Sequence, residues 1–401
     1  MDAIAAQSPR LFALADFRRL WTVGTILFMV RWLEMLAVSL VTWQATGSAF
    51  MVTMLGMLRV LPMGLFGAAM GALADRVEAR SALLLIVVAS LATSLALALL
   101  AAAGMLEVWH LAVASFVNGL AWAADNPVRR LMIGQVVGTT LLGRAMSFDV
   151  GSNNASRMLG PLASGVIFAA VGAEGSFALS CLLYLIALQA ALALRYRSGI
   201  AAAGESFATR LAAGFGAVRA DRRLQGTLCV TIIFNIWGWP FTSLIPVVAA
   251  EHLRLGPEAI GLLAAMDGVG AFAGALAMAA WAQPARFARC YLGGATICFL
   301  AITAFGLAPH PLLAGAALLL TGAGQAAFAV MQATLVYLAA PPELRGRVLG
   351  ILSLCIGLGP IGFIHIGMLA DAVGASMACV ATGLEGLLVL ALTRRLWRNI
   401  V

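Results

Sequence analysis

The chain has 401 residues, 62% hydrophobic and 10% charged, with a formal net charge of +8 at pH 7. A soluble globule carries roughly 25% charged residues, so the composition excludes that class and defines a membrane chain. The alternating ten-residue segments of an outer-membrane barrel are absent, and in lipid only helices or closed barrels satisfy their backbone groups, so the fold class is all-α and polytopic.

Twelve apolar stretches follow in chain order, at 20–45, 50–74, 81–104, 109–128, 145–171, 175–194, 224–250, 258–282, 288–308, 312–338, 347–371 and 375–393. Each approaches the roughly 20 residues needed to cross about 30 Å of hydrocarbon. Trp21, Trp43, Trp109, Trp281 and Trp397 mark interfaces, as aromatic belts do. The longest polar gap, 195–223, divides the chain into an N-terminal unit 1–194 and a C-terminal unit 224–401, each with six spans. Two pseudo-symmetric six-helix bundles are expected. Within the gap, Phe207, Leu211, Phe215 and Val218 recur at helical spacing beside several arginines, which predicts an amphipathic helix on the membrane surface.

All 25 basic residues are Arg. They fall in the N-terminal arm, in alternate gaps (75–80, 129–144, 195–223, 283–289, 339–347) and in the C-terminal tail; the intervening gaps hold Arg254 alone. Cationic loops stay on the cytoplasmic side of an inner membrane. The expectation is therefore a bacterial inner-membrane protein with both termini cytoplasmic. Positive charge spread over every inner loop fits orientation and anionic lipid, and nucleic acid is not expected as a partner. The six cysteines sit in or beside apolar stretches without ligand spacing and read as small core residues, so no metal is expected. Without a phosphate-cradling Gly loop or a nucleophile–base pair, neither ATP hydrolysis nor enzymatic catalysis is expected.

Charges inside spans are the functional candidates, since each costs about 2.5–3.5 kcal/mol on insertion scales unless paired. Arg31 and Glu34 share one face of the first span. Arg59 lies in the second span near the depth of Glu34, and a Glu34–Arg59 pair, or a network with Arg31, is expected. Glu34 is then the candidate proton carrier. In the fifth span Asp149, Ser152, Asn153, Ser156, Arg157, Gly160 and Ser164 fall within a sector of roughly 140°, which predicts a water-accessible face toward the second bundle. Asp125-Asn126-Pro127 reads as the end of the fourth span, with Arg129 and Arg130 in the following loop. Asn235 and Trp239 in the seventh span, with Gln325 and Gln332 in the tenth, are candidate cavity-lining groups. His365 reads as a packing residue and Glu385 as locally capped.

The segment Gly71-Ala-Leu-Ala-Asp75-Arg76-Val-Glu-Ala-Arg80 resembles the signature Gly-x-Leu-Ala-Asp-Arg-x-Gly-Arg-Lys/Arg of the major facilitator superfamily, with Glu78 at the second Gly. "DFRRLW", "TGSAF", "LPMGLFGAAMGALADR", "RMLGPLASG" and "RGRVLGILSL" look like the branch of enterobactin exporters and macrolide efflux proteins. Span five partly resembles the drug-antiporter motif, with Ser156 and Ser164 at two of its glycines. The resemblance implies a monomeric transporter that rocks two bundles around a central small-molecule site, driven by the proton gradient without another cofactor. It implies that Asp75 docks at the N-terminus of span eleven as a latch, with Gly71, Arg76 and Arg80 around it, and that Asp267 of span eight faces Arg157. The expected function is proton-coupled export of an amphipathic compound, a drug or siderophore; the alternative is a proton-coupled or uncoupled importer of a small metabolite.

Overall fold

The computed structural model describes residues 11–74, 77–196 and 207–400, and within them the side chains of 68–74, 207–211 and 213 are not described. Every regular element among the described residues is helical. The first half comprises α1 (Ala15–Thr46), α2 (Ala49–Ala74), α3 (Ala79–Ala102), α4 (Val108–Val171) and α5 (Ala173–Leu192). The second comprises α6 (Phe207–Ala220), α7 (Arg222–Ile233), α8 (Ile245–Glu251), α9 (Pro257–Trp281), α10 (Phe287–Gly306), α11 (Pro311–Ala339), α12 (Arg345–Ile356), α13 (Gly359–Val373), α14 (Ala375–Leu392) and α15 (Arg394–Trp397). Ten segments among the described residues are long and apolar enough to cross a membrane, with α7–α8 and α12–α13 each counting once.

The connections are short because their residues end one helix and start the next. Gly47 closes α1 in the left-handed region at φ 61°, where only Gly rests without strain. Glu107 and His110 form reciprocal hydrogen bonds at the start of α4, and the Asp221 carboxylate accepts from the Arg223 N–H to cap α7. These caps satisfy amides that have no partner within the helix.

α4 departs most from the sequence reading. The expected loop at 129–144 is helical, and the expected break at Asp125-Asn126-Pro127 is absent; α4 runs unbroken through Pro127 and leaves helical geometry only at Gly138, at φ 68°, ψ 177°. A straight helix separates residues 20 apart by about 30 Å, yet Arg129 contacts Asp149. α4 therefore folds back on itself at Gly138 as two antiparallel limbs, 108–137 and 139–171. A β-carbon would strain the backbone at Gly138.

Two other apolar stretches are broken where a single span was expected. Between α7 and α8 the backbone passes through a wide turn at Phe234–Gly238 and a tight one at Pro240–Leu244. Pro240 has no N–H and its ring excludes an ordinary helical step; the amide of Trp239 reaches back five residues to Phe234 instead, at 3.1 Å. The Thr242 and Ser243 hydroxyls donate to the carbonyls of Trp239 and Pro240 at 2.9 and 2.7 Å. α12 and α13 are separated at Gly357 and Leu358, just before Pro360. The same Gly-Pro pair at Gly160-Pro161 sits inside α4 without interrupting it.

The buried apolar residues group by depth. Leu20, Val23, Leu83, Met132, Ile133 and Ala187 belong to a cluster drawn only from the first half, near the end where α1 begins. Leu224, Leu228, Val336 and Ile351 belong to one drawn only from the second half, near the start of α7. Leu36, Leu40, Val52 and Phe168 instead join the large cluster of the second half. The apolar core thus links the two halves toward the turns that follow α1 and α4, away from the chain termini.

Candidate functional site

The buried charges collect in three groups. The first joins α1 to both limbs of α4. Arg129 is fully buried; its Nε donates to Asp125 Oδ1 at 2.9 Å and its second amino group to Asp125 Oδ2 at 3.2 Å. Its remaining amino group pairs with Asp149. Arg130 reaches the other oxygen of Asp149 at 3.4 Å from the surface, and Arg31 lies 3.6 Å from Asp125 Oδ2. Gly24 makes this packing fit, because a β-carbon there would lie 2.6 Å from an Arg129 nitrogen. Buried charge is tolerated when it is paired and hydrogen-bonded, and each guanidinium nitrogen of Arg129 has a carboxylate partner.

Asp149 is therefore not on a water-accessible face toward the second half. It turns toward the first limb of its own helix, because Arg129, expected in a loop, is helical and buried there. Ser152 accepts from the Trp21 indole at 2.8 Å, which also turns this part of the stripe toward α1.

The second group is Glu34 and Arg59. Glu34 is 0% exposed and accepts from Ser94 Oγ of α3 and from Asn118 Nδ2 of α4, the latter at 3.0 Å. Arg59 is 5% exposed and lies within Coulombic reach of Glu34. The expected direct pair does not form, because neutral donors on α3 and α4 occupy the carboxylate. Arg59 has no ion-pair partner among the described residues, and its Nε has no hydrogen-bond partner.

The third group bridges the two halves. Arg157 in the second limb of α4 donates from Nε to Asp267 Oδ2 of α9 at 2.8 Å and pairs again through its amino group. The same amino group donates to Gln325 Oε1 at 2.7 Å, while Gln325 Nε2 and Thr321 Oγ1 each donate to Asp267 Oδ1 at 3.2 Å. The structure thus brings Arg157 and Asp267 together as expected, and adds Gln325 as a third member.

Two small cavities adjoin these groups, of about 30 and 20 Å³. Each has room for a water, which needs roughly 10–15 Å³. The larger lies beside Arg157 and Asp267, the smaller between Arg31, Arg59, Trp122 and Trp239, and Trp32, Met35 and Thr242 line both. Arg31 stacks over the Trp122 ring at 4.6 Å, and Trp122 meets Trp239 edge-on at 6.0 Å.

Among the candidate cavity residues, Trp239 lines the smaller space. Asn153 is half-buried and lines neither. Asn235 donates to the Thr231 carbonyl on its own helix at 2.9 Å. Gln332 donates to Thr231 Oγ1 at 3.0 Å, in a network with Tyr291. Both amides are thus held inside the second half. Of the latch residues, Asp75 and Arg76 lie outside the described residues, as do the surroundings of Gly71; Arg80 donates to the Leu192 carbonyl at 2.9 Å.

Several members of these groups were not placed by the sequence reading. For Asp125 and Arg129 the sequence offers a pairing, with Asp75 as the alternative acid, but places Arg129 in a loop; the structure makes the pair at i, i+4 inside α4. Ser94, Asn118 and Trp32 carry no signal. In the second half, His365 Nε2 meets Glu385 Oε2 at 2.6 Å, and the Trp237 indole donates to the same oxygen at 2.9 Å. His365 is thus satisfied by a hydrogen bond, while Glu385 takes its partners from other elements instead of the local cap expected.

Many apolar helices, charges paired between them and small, mostly apolar cavities edged by Arg and Asp side chains define a multi-pass membrane protein. Solved structures share this fold. They include a POT family transporter in complex with a thioalcohol-conjugated peptide (TM-score 0.76, 13% identity, 96% of this chain and 97% of that one). They also include a bacterial homologue of the human lysosomal transporter Spinster, inward-facing and unoccupied (TM-score 0.75, 14%, 96% and 97%). A nucleoside transporter is similar too (TM-score 0.74, 13%, 95% and 100%). The chain belongs to the transmembrane secretion effector family of the major facilitator superfamily, whose model matches residues 7–398. Macrolide efflux protein A of Streptococcus pyogenes is 19% identical over 366 residues, 90% of each chain.

Proposed function

We propose that this protein is a proton-coupled secondary transporter that exports an amphipathic compound, a drug or siderophore, by alternating access. The observation that carries the reading is the set of buried charges around mid-depth cavities where the two halves meet. Arg157 and Asp267 act as a gate between halves. Glu34, close to Arg59 but held by neutral donors, is the group whose proton exchange is coupled to movement. The secretion family and the macrolide efflux relative support the outward direction.

In this reading the ten long segments and the two limbs of α4 make twelve spans, arranged as bundles 1–194 and 224–401 around the linker 195–223. The protein works as a monomer in a bacterial inner membrane, driven by the proton gradient, with both termini in the cytoplasm where the arginines gather. The apolar core links the halves on the far side from the termini, so the cavities open toward the cytoplasm by parting of the two end clusters. Asp75 docks at the N-terminus of α12 as a latch, with Gly71, Arg76 and Arg80 around it; a carboxylate gains about 0.3–1 kcal/mol from a helix N-terminus.

A second reading, uptake of a small metabolite, is favoured by the small volume and charged walls of the cavities. Purified protein in liposomes containing a pH-sensitive dye separates the two. Lipophilic cations, macrolides, catecholates and small metabolites are added in turn, and proton movement and solute flux are recorded. Opposed proton and amphipathic-solute fluxes support export; flux in the same direction for a small metabolite supports uptake. No flux across the panel, with folded protein, overturns both coupled readings.

A further inference from the structure

We propose that the space between Arg59 and Trp32 is a subsite for an anionic group, a carboxylate, carried on a flat apolar ligand; the transported solute is then an organic anion. This rests on the transport reading above and names the class of solute.

The first argument is the supply of hydrogen-bond donors. Arg59 Nε and the Trp32 indole Nε1 are both buried without a partner, and both residues line the same small cavity. An unmet buried donor is costly, more so on a charged group. Two unmet donors of different chemistry, on residues that line one cavity, are met by an acceptor that enters as the walls part. A carboxylate offers two oxygens and no hydrogen, and pairs more strongly with a guanidinium than a neutral acceptor does.

The second argument is charge. No carboxylate lines this cavity, whereas Arg31 and Arg59 both do. The acids nearby are already engaged: Asp125 by Arg129 and Arg31, Asp267 by Arg157, Thr321 and Gln325, and Glu34 by Ser94 and Asn118. A cationic ligand would meet two guanidinium groups and no free counter-charge. An anion meets Arg59, which has no other ion-pair partner among the described residues.

The third argument is the shape of the walls. Trp122 and Trp239 stand at 78° to each other, and aromatic edges and faces favour a flat apolar body. The cavity itself accepts only the head group, and the body enters as the halves part. Glu34 acts on Arg59 only through space, without pairing with it. An anion seated there displaces the influence of Glu34, which ties ligand entry to the residue assigned the proton.

Binding to the purified full-length protein tests this. The probes are 2-naphthoate, indole-3-acetate and salicylate, each beside its carboxamide and its amine, read by tryptophan fluorescence and thermal shift. At least one carboxylate is expected to bind tenfold or more tightly than its amide. That advantage falls below twofold in Arg59→Gln and survives in part in Arg59→Lys. No carboxylate preference in the unmodified protein overturns the proposal, whether or not the variants fold; so does a preference unchanged in folded Arg59→Gln. Flux in liposomes keeps the two readings apart. Carboxylate binding without flux of any solute sinks transport and leaves the subsite, whereas flux of neutral or cationic solutes without carboxylate preference sinks the subsite and leaves transport.

Discussion

Arg157 and Asp267 join helices from opposite halves of the chain through a hydrogen-bonded ion pair, and Gln325 contacts both partners. Removing one member leaves the other buried without compensation, whereas removing both leaves a polar but neutral contact. Breaking such a pair costs about 3–5 kcal/mol when fully buried, and less here because Arg157 keeps some solvent contact. Asp267→Asn and Arg157→Gln are each expected to lower the unfolding temperature. The double variant is expected to recover part of the loss, with a coupling of about 1–3 kcal/mol. Strict additivity in thermal unfolding would show that the pair is not energetically coupled.

Glu34→Gln retains the size of the side chain; its one oxygen still accepts from Asn118, and its NH2 donates to the Ser94 hydroxyl in place of the second carboxylate oxygen. The variant is expected to fold and bind substrate while losing gradient-driven accumulation by at least about tenfold, a step of roughly 1.4 kcal/mol in free energy. Accumulation equal to the unmodified protein across an imposed pH gradient would place the proton carrier elsewhere, with Asp149 the next acid to examine.

Gly24→Ala inserts a methyl group against the guanidinium of Arg129, which two carboxylates hold in place. Overpacking of this kind costs about 1–3 kcal/mol. A clear fall in unfolding temperature is expected, while Gly143→Ala, with open space around it, serves as the neutral control. Equal unfolding temperatures for the two variants would mean that Arg129 moves freely.

His365→Ala removes one contact from Glu385 but leaves the Trp237 donor. Both partners are about a third exposed, and exposed ion pairs contribute about 0–1 kcal/mol. Thermal unfolding is expected to change little. A large drop would reveal that this cluster braces the irregular turn at Phe234–Gly238.

Asp75→Asn is expected to slow transport and weaken disulfide crosslinking between cysteines placed across α2 and α12, if the latch operates as proposed. Unchanged rate and crosslinking would exclude it.

Charges within apolar stretches stand out because lipid makes them expensive, so Arg31, Glu34, Arg59, Arg157 and Asp267 were all legible as candidates. The Arg157–Asp267 contact followed from which helices the resemblance makes neighbours. The Glu34–Arg59 pair was argued from matching depth, and depth leaves rotation about each helix axis undetermined; Ser94 and Asn118 lie on the side that Glu34 faces. Pairing of Asp125 with Arg129 was open to the sequence, but Pro127 hid its helical, buried setting, since a helix among neighbouring helices tolerates a proline that a lone helix would not. Asp149 was misdirected for the same reason, its partner having been assigned to a loop.

The hairpin of α4 also bears on how the chain enters its membrane. Asp125 and Arg129 lie on the first limb and Asp149 on the second, so Arg129 gains its second carboxylate only after the chain beyond Gly138 has been made. A chain halted before Asp149 would hold this arginine half-satisfied in an apolar setting. The two limbs are therefore best inserted as one unit, and a truncation between them is expected to be cleared as misfolded sooner than one placed after Val171.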